Sequence, residues 1–526
     1  MQKASADRAA HRKGPSMDDK VIVSNRRALR AKYGTRGLAR IRAAVAALIR
    51  ADKKRGIVTR LVFVDDARAM KALKASPVAD DRSPREHKTA LDGIYKRLAP
   101  DYLLILGAPD VVPHQDLANP VFKPDDDDDR IAWSDLPYAC DAPYATDIAA
   151  FVGPTRVVGR LPDLTGAHDP AHLVTLLRFA AAHVSRVPAD YAGYFGLSTA
   201  SWQKSTAQSL DNVFGNATGL RIAPPAKPPY GAGALGALMH FVNCHGGLAD
   251  PSWYGEKGRK TPVAMTSSAT AGKIREATVA AIECCYGADL YDAVTLALPL
   301  PICQRYLAQG ACGYFGSTTI AYGPAEGNGC ADLVTQYFLL SLQEGASTGR
   351  AALTARQRYV QQAGQMDPID LKTLAQFCLL GDPAVQPIRV PSPTVVPKSM
   401  PATDAWRLMR RERRAKLRAT GEFLGRSMAT ASRREPKAAK SSQIRAALAQ
   451  ISRRAGLPGA ETFTAYAVRG GGASKTRAKG AGVTTRYYVG LASAPHDKTS
   501  PARHGYAVVA KEQDGRIVGY RVYAQR

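Results

Sequence analysis

The chain has 526 residues, 45% of them hydrophobic, and a formal net charge of +27, which is enough chain for roughly two to four domains and a sizeable core. No run of eighteen or more apolar residues is present, so no helical membrane span is indicated. Met1 to Gly14 is polar and basic, without the apolar stretch of a secretory signal. The expectation is a cytoplasmic protein, with secretion left open. The eight cysteines, at 140, 244, 284, 285, 303, 312, 330 and 378, include an adjacent pair and suit a reduced compartment better than a disulfide framework.

Residues 1–36 are basic and lack an apolar period, and read as a flexible tail. Leu38 to Arg50 has apolar residues at helical spacing, and Ile57 to Val64 is β-branched and strand-like. His87 to Leu98 reads as a helix and Tyr102 to Gly107 as a buried strand, the start of an α/β rhythm. Asp125 to Asp129 is a run of five aspartates, expected to be a solvated surface loop because like charges repel. A strand at Arg156 to Leu161 and a helix at Ala171 to Val184 complete an N-terminal α/β subdomain, residues 37–190. Residues 191–390 continue with a strand at Tyr194 to Ser198, a helix ending near Phe214, and further strands and helices as far as Val390. Leu379 to Pro383 reads as a turn.

From Pro391 the composition changes. The last 136 residues hold 27 lysines and arginines against eight acids. Four prolines between Pro391 and Pro401 mark a linker, and Trp406 to Arg418 is a basic helix candidate, so residues 391–440 read as a basic linker with a helix. Residues 441–526 read as a small basic α+β domain: a serine-capped helix at Ser441 to Arg454, then four strands, with Asp514-Gly515 as the hairpin turn between the last two. The charge fits a solvated surface, or contact with an acidic partner or nucleic acid.

Two stretches carry the chemistry. Leu238 to Gly247 (LMHFVNCHGG) and Thr278 to Ala288 (TVAAIECCYGA) are short apolar runs that end in reactive side chains with glycine close behind. As neighbouring parallel strands they would bring His245 and a cysteine to the same sheet edge, a thiol nucleophile with a proton-transfer partner. The bland alternatives are a buried small cysteine and a satisfied core histidine. Cys244, His245, Cys284 and Cys285 could also be read as zinc ligands. However, adjacent residues on a strand point to opposite faces, and the spacing of a zinc motif is missing.

Tyr102 to Gly107 with Ser134-Asp135 and Val158-Gly159-Arg160, then Asn243-Cys244-His245-Gly246 with Trp253-Tyr254-Gly255, then Ile282 to Ala288, then Gly381-Asp382-Pro383, resemble in order the gingipain-type cysteine peptidases of the caspase-like group. The resemblance covers about Tyr102 to Ile388. It implies an α/β caspase-like (caspase-hemoglobinase) sandwich with a mainly parallel sheet, and a cysteine endopeptidase with a Cys-His dyad acting on protein or peptide substrates. Aligning Glu283-Cys284-Cys285-Tyr286-Gly287-Ala288 with the family's cysteine block makes Cys285 the nucleophile and His245 its partner, with Cys284 the alternative nucleophile. The backbone N–H groups of Gly246 and Cys285 would hold the oxyanion. No cofactor or metal is required, although the family admits calcium. No third catalytic residue is named, and Glu283 reads as a solvated strand-end acid. Arginine-directed members need an acid in the substrate pocket. Ser198 to Gln208, expected to line that pocket, contains none, leaving Asp250 and Asp289 as substitutes. The rival reading is a catalytically silent caspase-like scaffold, or a nucleic-acid-binding protein using its basic C-terminal region.

Overall fold

The computed structural model describes residues 18–324, 326–390, 402–426, 431–435, 441–455, 463–468, 485–493 and 504–526. The Pro391–Pro401 linker and the first 17 residues lie outside these. The strands that matter here are β1 (Lys20–Ser24), β2 (Thr59–Phe63), β3 (Tyr102–Leu106), β4 (Val158–Leu161), β5 (Tyr194–Thr199), β6 (Leu220–Ala223), β7 (Met239–Asn243), β8 (Val279–Ile282), β9 (Gly313–Ser317), β10 (Tyr322–Gly323) and β11 (Phe377–Leu380). The C-terminal region adds β12 (Arg433–Arg434), β13 (Thr464–Val468), β14 (Thr485–Ser493), β15 (Gly505–Gln513) and β16 (Arg516–Gln525).

A ten-stranded sheet runs in the order β2-β1-β3-β4-β11-β9-β8-β7-β5-β6. Every pairing is parallel except that between β11 and β9. The sheet is therefore two parallel five-stranded blocks running in opposite directions and joined at that seam. Central strands such as Tyr102-Leu103-Leu104-Ile105-Leu106 are buried throughout, as expected where helices cover both faces of a parallel sheet. Helices α1 (Arg26–Lys54), α2 (Pro84–Leu98) and α3 (Ala171–Ala182) pack in one core. Helices α4 (Gln203–Phe214), α5 (Ala331–Gln343), α6 (Thr348–Ala363) and α7 (Pro368–Gln376) pack in the core on the other face. The result is a mixed α/β fold with a large, mainly parallel sheet.

Three expectations fail for identifiable reasons. Lys20–Ser24 is a fully buried strand and α1 begins at Arg26, so the basic tail is shorter than residues 1–36. Lys20 disguises the strand; its ammonium is neutralised by Asp52, at 2.8 Å, and by Asp382. Asp382 belongs to Gly381-Asp382-Pro383, which so ties the end of β11, in the middle of the sheet, to β1. The aspartate run is not a solvated loop either. Asp127 is completely buried against Lys372 and the Tyr322 hydroxyl, and Asp129 accepts the Ile320 N–H at 2.8 Å and the Tyr286 hydroxyl at 2.8 Å. Lys123 pairs with Asp126 at 2.6 Å, and one buried lysine from α7, Lys372, supplies the countercharge for Asp127 and Asp129. Finally, Leu379-Leu380 belongs to β11 rather than to a turn, and is recognisable only through its partners Tyr314 and Phe315 on β9.

The C-terminal strands form a second sheet, in the order β10-β16-β15-β14-β13-β12. Its alternation has period two. Tyr487, Val489, Leu491, Ala507 and Val509 face the large core, while Tyr488, Val508 and Ala510 pack on Ile444, Leu448 and Ile451 of the helix Ser442–Arg454. Positive φ at both Asp514 (51°) and Gly515 (77°) makes the expected hairpin turn. One strand of this sheet, β10, comes from the segment that follows β9, so the C-terminal region is built onto the α/β body. The helix Ala402–Arg426 also lies on that body: Arg410 donates to the Gly56 carbonyl at 2.8 Å, and Gln357 donates to the Leu417 carbonyl at 2.8 Å. Among the described residues no helix is long and apolar enough to cross a membrane.

Candidate active site

β7 and β8 are adjacent and parallel, with Val242 opposite Ile282. The ladder ends there, with the Glu283 N–H on the Val242 carbonyl at 2.9 Å, and His245 and Cys285 each follow three residues after that last pair, at neighbouring strand ends. Alternation puts Asn243, His245, Glu283 and Cys285 toward one face, while Val242, Cys244, Ile282 and Cys284 join the core on the other. Cys285 packs in the core beneath α5. The adjacent cysteines are thus separated by the sheet itself, and the four candidate zinc ligands do not converge. The two strand ends come close at Gly246, where a Cβ would stand 1.9 Å from the Cys285 carbonyl oxygen. Only glycine lets the backbones meet at this distance.

His245 is 2% exposed. Its Nε2 lies 3.3 Å from Glu256 Oε2, and its Nδ1 has no hydrogen-bond partner among the described residues. The edge of Trp202 and the face of His504 flank the ring, with centroids at 4.5 Å and 4.4 Å. Glu256 also accepts the Ser201 hydroxyl at 2.6 Å. Burial alone would raise the Glu256 pKa, but the hydrogen bonds from His245 and Ser201 outweigh it and hold the carboxyl below its ordinary range. With the carboxylate on Nε2–H, Nδ1 is the imidazole's basic nitrogen. Glu256 follows directly after the Trp253-Tyr254-Gly255 of the histidine block. The residue type was the available signal, and nothing local showed that the strand reversal at 252–254 returns it to His245.

The Cys285 sulfur accepts the Ala321 N–H at 3.2 Å and lies 3.6 Å from the Ala321 carbonyl. Burial pushes its pKa up to about 12, so the thiol is protonated in this form. Tyr286 follows with φ of 52°, a conformation costly for a bulky residue that ends the strand and turns the chain away. Its hydroxyl is fixed on Asp129, so the aspartate run braces this turn. The Cys285 N–H donates to the carbonyl of Arg526, the last residue of the sequence, at 3.1 Å.

Arg526 is fully buried. Its N–H donates to the Ala321 carbonyl at 3.0 Å. Its Nη2 meets both oxygens of Asp332 at 2.9 Å and the Pro324 carbonyl at 3.1 Å; its Nη1 donates to Asn243 Oδ1 at 3.0 Å. The Trp202 ring lies 4.7 Å from the guanidinium carbon. Asn243 is itself held by its side-chain N–H, which donates to the Thr206 hydroxyl at 3.0 Å. Glu283 is completely buried beneath this pocket and accepts the Thr335 hydroxyl, correcting the expectation of a solvated acid. Burial first, and the Asp332 charge second, push its pKa well up. Asp250 and Asp289 are not in the pocket: Asp250 caps Ser252 and holds the Tyr254 hydroxyl, and Asp289 accepts the Ala249 N–H. Of the Ser198–Gln208 stretch, Trp202 and, through Asn243, Thr206 do shape it. Asp332 opens α5 with no local motif around it, and only the fold brings it here.

Among the described residues, two groups of side chains bring metal-ligating atoms within 4.8 Å of one another: His245 with Glu256 and His504, and His114 with Asp135 and Cys378. In the second, Asp135 is already engaged by Arg160 through two bonds of 2.8 and 2.6 Å. Arg160 also donates to the Gly107 and Val112 carbonyls, making Ser134-Asp135 and Val158-Gly159-Arg160 a structural knot rather than part of the site.

No protein-family model matches the chain, and no curated protein matches it. One solved structure, described as "Structure of Protease", aligns over 96% of this chain and 97% of its own, with a TM-score of 0.46 and 14% sequence identity.

Proposed function

We propose that the protein is a cysteine endopeptidase in which Cys285 is the nucleophile and His245 the general base and acid, with Glu256 as the residue that positions His245. The observation that carries this reading is the meeting of the two strand ends. A buried histidine, with one nitrogen on a carboxylate and the other without a hydrogen-bond partner among the described residues, ends the strand beside the one that leads into a cysteine whose backbone N–H holds the Arg526 carbonyl oxygen.

In the proposed reaction, His245 Nδ1 takes the Cys285 proton and the thiolate attacks the scissile carbonyl carbon. The C=O π electrons move to oxygen, and the resulting oxyanion is met by the Cys285 N–H. Collapse breaks the C–N bond, the amine leaves with the proton from His245, and a thioester remains. Water then gives a proton to His245 and attacks the thioester carbonyl carbon; the intermediate collapses with cleavage of the C–S bond, the sulfur takes the proton back from His245, and the acid product departs and loses its proton to solvent. Cys284 is disfavoured as nucleophile because its side chain lies in the core on the opposite face of the sheet, where burial above all holds its pKa well up.

The test is hydrolysis of a peptide library by wild type and by the Cys285→Ala, Cys284→Ala and His245→Ala variants. Loss with Cys285→Ala and His245→Ala, and retention with Cys284→Ala, supports the reading. Activity surviving Cys285→Ala refutes it.

A further inference from the structure

The C-terminal strand lies in the site as an extended peptide would. Gln525 pairs with Tyr322 and Ala524 with Gly323 in antiparallel register. The next residue gives its N–H to Ala321 and its carbonyl to Cys285, so strand addition places the Arg526 carbonyl beside the sulfur that Ala321 also holds. The side chain enters a pocket made for a guanidinium. A buried carboxylate, an amide oxygen and a backbone carbonyl receive its N–H groups, and an indole covers its face. Gly323 makes room for it, since a Cβ there would stand 2.0 Å from Arg526 Nη2. The same sheet's neighbouring segment brings His504 over His245.

We propose that residues 516–526 are a built-in occupant of the peptide cleft, with Arg526 in the pocket that an arginine preceding the scissile bond would fill, and that this occupant keeps the site closed. The proposal rests on the peptidase reading and deepens it: the substrate class is peptides with arginine at that position, and the first level of control is competition with the chain's own segment. Asp332, Asn243 and Trp202 are the specificity-determining residues. Asn243 lies in the histidine stretch, whereas Asp332 and Trp202 lie outside both stretches that carry the dyad.

Full-length wild type is compared with Arg526→Ser and Arg526→Lys. The rate of iodoacetamide labelling is mapped residue by residue by mass spectrometry, alongside hydrolysis of a peptidyl-arginine coumarin amide. Loss of the charge-assisted bonds should accelerate labelling of Cys285 at least about tenfold in Arg526→Ser, with Arg526→Lys between. A synthetic peptide with the sequence of residues 516–526 should slow it again. Labelling confined to Cys285 marks release of the segment, whereas unfolding would expose all eight cysteines; if Arg526→Ser unfolds, Arg526→Lys decides. Equal Cys285 labelling in wild type and the folded variants, or no effect of the peptide, overturns the proposal. Faster labelling with no hydrolysis of any library peptide keeps the occupancy and removes the peptidase reading. Hydrolysis abolished by Cys285→Ala but unchanged by Arg526→Ser removes the occupancy and keeps the peptidase.

Discussion

Replacing Gly246 with alanine adds one carbon where the structure has no room for it. The new Cβ would stand 1.9 Å from the Cys285 carbonyl oxygen and 3.4 Å from the Cys284 Cβ. A carbon and a carbonyl oxygen rest about 3.3 Å apart, so the two strand ends must separate by roughly 1.4 Å. The obstacle is backbone, which no rotamer change can relieve. Overpacking of this kind costs about 1–3 kcal/mol of stability, small enough for the fold to survive. A displacement of about 1 Å between reacting groups, however, can cost a hundredfold in rate. Gly246→Ala should therefore lower kcat/KM on the best library peptide about a hundredfold or more, while the urea midpoint moves only modestly. Gly193→Ala is the control, since a Cβ at that position meets nothing within 4 Å, and it should leave both quantities unchanged. Activity of Gly246→Ala within threefold of wild type would refute the argument that the His245 and Cys285 strand ends work as one site.

Glu256→Gln should lower kcat roughly tenfold or more with little change in KM, because it removes the carboxylate that orients His245 without touching the pocket; Glu256→Asp should recover part of the loss. Asp135→Asn leaves Arg160 buried without its counterion, and urea unfolding should show a loss of about 3–5 kcal/mol. In the wild type, burial alone would raise the Asp135 pKa, but Arg160 and His114 outweigh it and hold the carboxyl far below its usual value. Its contribution is therefore complete above the unfolded pKa of about 3.9 and is lost as the pH falls below it. Asp289 has the opposite sign: burial raises its pKa to about 6, so ionisation penalises the fold increasingly from about pH 4 to above pH 6. Asp289→Asn should match wild type in stability near pH 3 and exceed it by about 2–3 kcal/mol at pH 8, at 1.36 kcal/mol per pKa unit.

The residues whose neighbours along the chain share their environment were legible. The apolar runs at Tyr102–Leu106, Met239–Asn243 and Val279–Ile282 are buried strands. The adjacency of β7 and β8, anticipated from two similar runs that end alike, holds in the sheet order. What local pattern could not show is charge compensated from a distance. Lys20 hid a core strand because Asp52 and Asp382 lie 32 and 362 residues away. Asp127 looked solvated because Lys372 lies 245 residues on. The pocket has the same character: Asp332 and Arg526 are 194 residues apart, and neither carries a motif. Glu256 lay next to a block already singled out, yet its role depends on a short strand reversal that pairs His245 with Tyr254.

The most direct measurement is the site of covalent capture by a peptidyl-arginine chloromethyl ketone, mapped by mass spectrometry on the full-length wild type and the Arg526→Ser variant, each with and without His245→Ala. The account predicts a single adduct on Cys285 sulfur, faster in Arg526→Ser and lost when His245 is replaced. An adduct on Cys284 or any other cysteine, or capture at Cys285 that is indifferent to His245, would contradict it.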